Sequence, residues 1–146
     1  PKISKSEPIA FRLAKVPVLK NIFTYVTPRS VAQASVENVY FDTSKVSDDL
    51  IDRYFELTLR AGNRQAFVDR LNSESEPSAY ENIKNIQQPT LILWGDQDLL
   101  IPIENAYKFQ KALPNDTLVI LEDTGHTPME ERPVESLVPV IGFLEK

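Results

Sequence analysis

The chain reads as an α/β protein, mostly helical by residue count, that closes on a β-α-β-α stretch with a partial parallel sheet. Residues 90–94 (TLILW) and 117–121 (TLVIL) are short, unbroken apolar runs, the pattern of parallel strands buried on both faces. Residues 103–113 between them carry a helical pattern, so the strands are expected to run parallel across a helical crossover. Residues 1–77 carry helix signals and no strand signal.

Composition narrows the function classes. The apolar fraction is 42% and the charged fraction 25% of 146 residues, as in an average globular protein. The net charge of −5 comes with no basic cluster, which argues against nucleic acid. No apolar run approaches the roughly 20 residues that span a bilayer, and no leader with a small-residue cleavage site is visible. Cysteine is absent, which removes disulfides, thiolate-bound zinc and a thiol nucleophile from these residues. The expected compartment is cytoplasmic. The chain begins at Pro1, not Met, as either initiator removal or cutting from a longer protein would leave it; the motifs below favour the second expectation.

In order along the chain, residues 1–8 are polar. Residues 9–25 carry Phe11, Leu13, Val16, Leu19, Ile22 and Phe23 at mixed spacing around Pro17, a broken helix or two short ones. Arg12, Lys15 and Lys20 are too few to draw this segment onto a membrane, so ordinary core is the better reading. Thr27-Pro28-Arg29-Ser30 is a turn into a helix whose shared face would be Val31, Ala34, Ser35 and Asn38. Residues 42–44 form a loop. Ser47-Asp48-Asp49 opens the best-defined helix, with a capping hydroxyl and two carboxylates at the positive end of the dipole. Leu50, Ile51, Tyr54, Leu57 and Thr58 form its stripe, and Arg60-Ala61-Gly62 ends it. A second helix runs over residues 63–71 with Ala66, Phe67 and Leu71 inward. The polar, acidic stretch 72–77 (NSESEP) sets a boundary between residues 1–77 and 78–146. Ile83 and Ile86 anchor the lead-in to the first strand. On the crossover helix Ala106, Phe109 and Leu113 face inward. Pro133 opens a last helix with Val134, Leu137, Val138, Ile141 and Leu144 inward and Pro139 inside it. Two parallel strands alone leave open apolar edges, so the sheet calls for further strands from chain not present here or from another copy.

His126 is the only histidine. It follows Gly125 just after the second strand, where ligand sites lie in open α/β sheets. Alone it is more readily a packing or surface residue. Asp98 stands in the comparable place after the first strand, in Gly95-Asp96-Gln97-Asp98, and alone reads as a solvated or capping carboxylate. Both loops leave the same edge of a parallel sheet, so the two side chains can meet. A carboxylate on one imidazole nitrogen fixes the tautomer and leaves the other nitrogen as a general base. That is the acid-and-base half of a nucleophilic triad.

At these residues the chain resembles the α/β-hydrolase family. The match runs through Pro89-Thr90-Leu91-Ile92-Leu93-Trp94-Gly95, Gly95-x-x-Asp98, Pro102, Gly125-His126-x-Pro128, Glu131 and Pro133, and covers about residues 86–146. The resemblance implies that Asp98, not Asp96, is the catalytic acid and His126 the catalytic base, with no cofactor or metal. It also implies that residues 1–77 are the helical cap, or lid, and that 78–146 are the C-terminal β-α-β-α part of the core. The stretches 39–42 and 52–55 resemble caps of carbon–carbon-bond hydrolases and dehalogenase-like relatives. Tyr40, Phe41, Tyr54 and Phe55 there read as packing residues before pocket residues, Trp94 as core, and Glu130 and Glu131 as solvated or structural.

The family's nucleophile sits in a G-x-S-x-G turn. Glycines stand only at 62, 95, 125 and 142, and none brackets a serine in that way. The expectation is therefore a part of a hydrolase, inactive by itself, whose complete form cleaves a small apolar ester, amide or related substrate with a serine, cysteine or aspartate nucleophile. The rival expectation is a non-catalytic binding or assembly module that hides its sheet edge in a homo-oligomer or against the missing N-terminal half. Dinucleotide and phosphate loops are absent from the sequence, carboxylates lack metal-ligand spacing, and a flavodoxin-like or response-regulator domain fails for want of strands.

Overall fold

The structure is a computed structural model that describes residues 26–73 and 78–145. The helical reading of residues 9–25 and most of the boundary stretch 72–77 lie outside the described residues. Two compact units are present. Among the described residues one comprises 26–38 with 43–73, and the other comprises Val39–Asp42 with 78–145.

The first unit is helical. Helix α1 (Arg29–Val39, whose last residue belongs to the second unit) starts with Val31 N–H bonded to Pro28 O at 2.9 Å. It buries Ala32 and Val36, one turn apart, rather than the expected face of Val31, Ala34, Ser35 and Asn38. The sequence supports an i, i+4 stripe on either side, and Ser35 satisfies its own hydroxyl on Val31 O at 2.7 Å instead of packing. A short 3-10 turn, Thr43–Lys45, replaces the expected loop. Helix α2 (Asp48–Leu59) begins as its sequence dictates: the Ser47 hydroxyl accepts from Leu50 N–H at 3.2 Å, a contact that satisfies one free donor of the first turn. Arg29 bridges Asp52 and Asp48, and those carboxylates, Asp52 foremost, raise its pKa. Of the α2 stripe only Ile51 is fully buried, while Leu57 is exposed. Gly62 turns the chain at φ +86°, a conformation that side chains disfavour. Asn63 closes the end of α2 by donating to Leu57 O at 2.7 Å. Helix α3 (Asn63–Asn72) then buries Val68, with Phe67 half-buried and Ala66 exposed, so its inward face is turned one residue from the expected one.

The second unit holds the sheet. A 3-10 segment, Ala79–Asn85, brings Ile83 against the core, whereas Ile86 stays exposed and anchors nothing. Strand β1 (Thr90–Gly95), helix α4 (Glu104–Ala112) and strand β2 (Asp116–Leu121) form the crossover. The strands pair in parallel from Thr90 beside Asp116 to Gly95 beside Leu121. Ile92, Ala106 and Leu113 make the core, with Ile83, Trp94, Leu118 and Ile120 packed on it. Phe109 remains partly exposed, its ring 6.3 Å from that of Trp94. All of β2 is half-buried, not buried on both faces, because among the described residues only two strands share the sheet.

Helices α5 (Pro128–Glu131) and α6 (Pro133–Leu144) end the unit. Proline opens α6, and Pro139 lies inside it. The expected inward face is overturned. Val134 (71% exposed), Leu137, Val138, Ile141 and Leu144 all face water, and the fully buried residue of the helix is Ser136. A two-stranded floor is too narrow to cover that face, although α6 touches both strands.

Candidate active site

Parallel pairing puts the exits of β1 and β2 side by side, and backbone bonds then lace the two loops together. Asp96 N–H donates to Leu121 O, and Gln97 N–H donates to Thr124 O, each at 3.0 Å. Asp96 accepts from Thr124 N–H at 3.4 Å. The approach is too close for any side chain on Gly95, since a Cβ there would stand 2.2 Å from both Thr124 O and Gly125 O. A Cβ on Gly125 would stand 2.3 Å from Val39 O. Both glycines flanking the site are therefore dictated by backbone packing.

Asp98 leaves this braid with its carboxylate buried, the side chain 4% exposed. Oδ1 accepts from Leu100 N–H at 2.9 Å and from Ile101 N–H at 2.8 Å. This local turn fixes the carboxylate plane and leaves Oδ2 for His126 Nδ1, 2.8 Å away. An ionised carboxylate only accepts, so the imidazole proton sits on Nδ1. Among the described residues nothing hydrogen-bonds to Nε2, and the His126 side chain is about a third exposed. The pair lines a cavity of about 110 Å³ with Leu93, Trp94, Gly95 and Pro128. Trp94 serves both readings, since it packs on the core and lines this cavity, with its indole N–H donating to Ile101 O at 3.1 Å.

The structure thus brings Asp98 and His126 into hydrogen-bond contact and turns Asp96 toward Thr124 instead. Glu131 is 2% exposed, so it is not solvated. Its Oε2 accepts from Gly125 N–H and its Oε1 from Asp42 N–H, both at 2.7 Å. Glu130 accepts from the Tyr40 hydroxyl at 3.1 Å. Sequence reasoning missed this support, and missed that His126 N–H is held by Val39 O at 2.7 Å. The signal lay in Gly-His-x-Pro-x-x-Glu, where one helical turn brings a carboxylate back under the glycine. Of the four aromatics weighed for a pocket, Tyr40 is buried, Phe41 is exposed, and Tyr54 and Phe55 are half-buried. Among the described residues no cluster of three His, Cys, Asp or Glu could hold a metal ion, and no helix is long and apolar enough to cross a membrane.

A family model for the α/β hydrolase fold matches residues 34–133. An uncharacterized hydrolase of Bacillus subtilis, YugF, is 34% identical over 101 residues, covering 66% of this chain and 35% of the relative. Mouse monoacylglycerol lipase ABHD6 is 33% identical over 81 residues, covering 56% and 24%. Among solved structures, a serine hydrolase of carbazole degradation superposes with a TM-score of 0.72 at 25% identity, over 83% of this chain and 48% of that one. A thermophilic esterase from Thermogutta terrifontis gives 0.71 at 19% identity and shares the fold over 96% and 51%. This chain spans about a quarter to a half of the length of these proteins. Strand order, loop placement and the family match agree, and the chain belongs to the α/β hydrolase fold family.

Proposed function

We propose that Asp98 and His126 are the acid and base of a nucleophile-His-acid triad whose nucleophile lies outside these 146 residues. The observation that carries the reading is the 2.8 Å bond from Nδ1 to a buried, backbone-fixed carboxylate, with no described residue bonded to Nε2. In the complete enzyme Nε2 takes the proton of the attacking hydroxyl and gives it to the leaving alcohol or amine as the acyl-enzyme forms; it then takes a proton from the water that attacks the acyl group and returns it to the nucleophile, while Asp98 steadies the imidazolium. An aspartate nucleophile would instead attack as the carboxylate, and His126 would activate the water that follows. The cavity beside the pair is well below the roughly 300 Å³ at which small-molecule sites begin, which supports a pocket completed by other chain. Residues 1–77 would serve as the cap and 78–146 as the C-terminal part of the core. A relative named as a monoacylglycerol lipase supports a small ester, amide or related substrate with an apolar body.

The test is direct. The isolated chain is expected to leave p-nitrophenyl butyrate untouched. Joined to the reading frame upstream of it, the chain should turn over, and His126→Ala should then cost about 10⁴-fold or more in kcat. Turnover by the isolated chain that vanishes with His126→Ala would overturn the requirement for an outside nucleophile. A second reading, a non-catalytic assembly module, is favoured by the exposed apolar face of α6. A concentration-independent homo-oligomer in light scattering, with no activity in the joined protein, would replace the first reading with this one.

A further inference from the structure

We propose that Glu131 is a positioning residue for His126: its buried carboxylate locks the loop that aims the imidazole at Asp98. The inference rests on the reading of His126 as the base and names what holds that base in place.

The two halves of the Asp98–His126 pair are supported differently. Asp98 is fixed within its own loop by the N–H groups of Leu100 and Ile101. His126 has no such local turn. Its backbone N–H donates to Val39 O at 2.7 Å, and Gly125 N–H, one residue before it, donates to Glu131 Oε2 at 2.7 Å. The other oxygen of the same carboxylate accepts from Asp42 N–H at 2.7 Å. Glu131 therefore clamps both the loop that carries His126 and the segment Val39–Asp42 that supplies the carbonyl holding it. Helix α5 delivers the side chain: Glu131 N–H bonds to Thr127 O at 2.9 Å, which folds the chain back under Gly125.

Physical chemistry sets the consequence. Bonds from backbone N–H to an ionised carboxylate are short and roughly twice as strong as neutral ones. Losing the acceptor takes a partner from a buried donor at Gly125 and a part-buried one at Asp42. The loop around Gly125 would relax, the imidazole would swing from Asp98, and nothing would then hold its proton on Nδ1. Glutamine keeps one acceptor oxygen and should retain part of the effect.

His126 is the only histidine in the chain, so its ring nitrogens report on the pair without ambiguity in ¹⁵N NMR of the full chain. The wild type should show the Nδ1–H tautomer with a low-field bonded proton. In Glu131→Ala, with the fold intact by circular dichroism, that proton should be lost and the two nitrogens should move to averaged shifts. In Glu131→Gln the signal should be intermediate, and the Gly125 amide should exchange on the order of tenfold faster, as the loss of one charge-assisted bond implies. Wild-type ring shifts in a folded Glu131→Ala overturn the proposal, because a carboxylate that only supports the fold leaves them unchanged. If the alanine variant does not fold, Glu131→Gln decides alone, and wild-type shifts and exchange there overturn it equally. Absence of the Nδ1–H tautomer in the wild type is a different failure, that of the Asp98–His126 reading itself.

Discussion

The loops leaving β1 and β2 and the last helix, α6, belong to one unit and are built by opposite means. In the loops Gly95, Asp98, Thr124 and Gly125 are buried, and their polar groups find partners close by: Asp98 through both oxygens, Thr124 through its N–H, carbonyl and hydroxyl. In α6 the polar Ser136 is buried and bonded to Pro133 O, while five large apolar residues stand in water. Hydrogen bonds and close glycine contacts are local and complete themselves with a few residues. Apolar burial needs a second surface, and a contiguous exposed patch of this kind marks one that is still to be supplied.

That contrast can be broken at its strongest point. Gly95→Ala drives a Cβ into two backbone carbonyls and should cost about 4 kcal/mol or more of unfolding free energy, among the larger single-residue effects. A variant with wild-type urea midpoint would mean that the two loops are not pinned together. Asp98→Asn sharpens the comparison at lower cost. The amide oxygen can still serve Leu100 and Ile101, so stability should fall by about 1 kcal/mol. The amide N–H₂ now faces Nδ1 as a donor, so the imidazole proton should move to Nε2, visible in the same ring ¹⁵N spectrum. A retained Nδ1–H would contradict the assigned bond. The smallest effect belongs to α6: Val138→Glu, on an exposed site, should change the stability of the isolated chain by no more than about 0.5 kcal/mol. A loss of several times that in thermal melts would show the face to be buried after all.

The sequence carried the parts of the fold that depend on short-range chemistry. Two short apolar runs, the first bounded by Pro89 and Gly95, became β1 and β2, Ser47 capped α2, and Pro133 opened α6. Inward faces were less legible. Apolar periodicity states which side of a helix prefers to leave water, not whether protein exists to receive it. Val134, Leu137 and Val138 kept the pattern and not the burial. In α1 two stripes competed, and packing chose Ala32 and Val36. Of the candidate site, Asp98 and His126 were legible because topology places strand exits together. Glu131 was not, because its partners are the backbone N–H groups of Gly125 and Asp42, which no side-chain identity reveals.

Trp94 gives the molecule an optical consequence. It is the only indole in the chain, it belongs to the unit with the sheet, and its N–H is tied to Ile101 O just past Asp98. Emission excited at the red edge of protein absorbance therefore comes from one place, the wall of the cavity beside His126. A fluorescence melt would follow the strand-bearing unit alone, while far-ultraviolet ellipticity would sum over α1 to α6. Any separation of the two transitions measures how independently the helical unit unfolds.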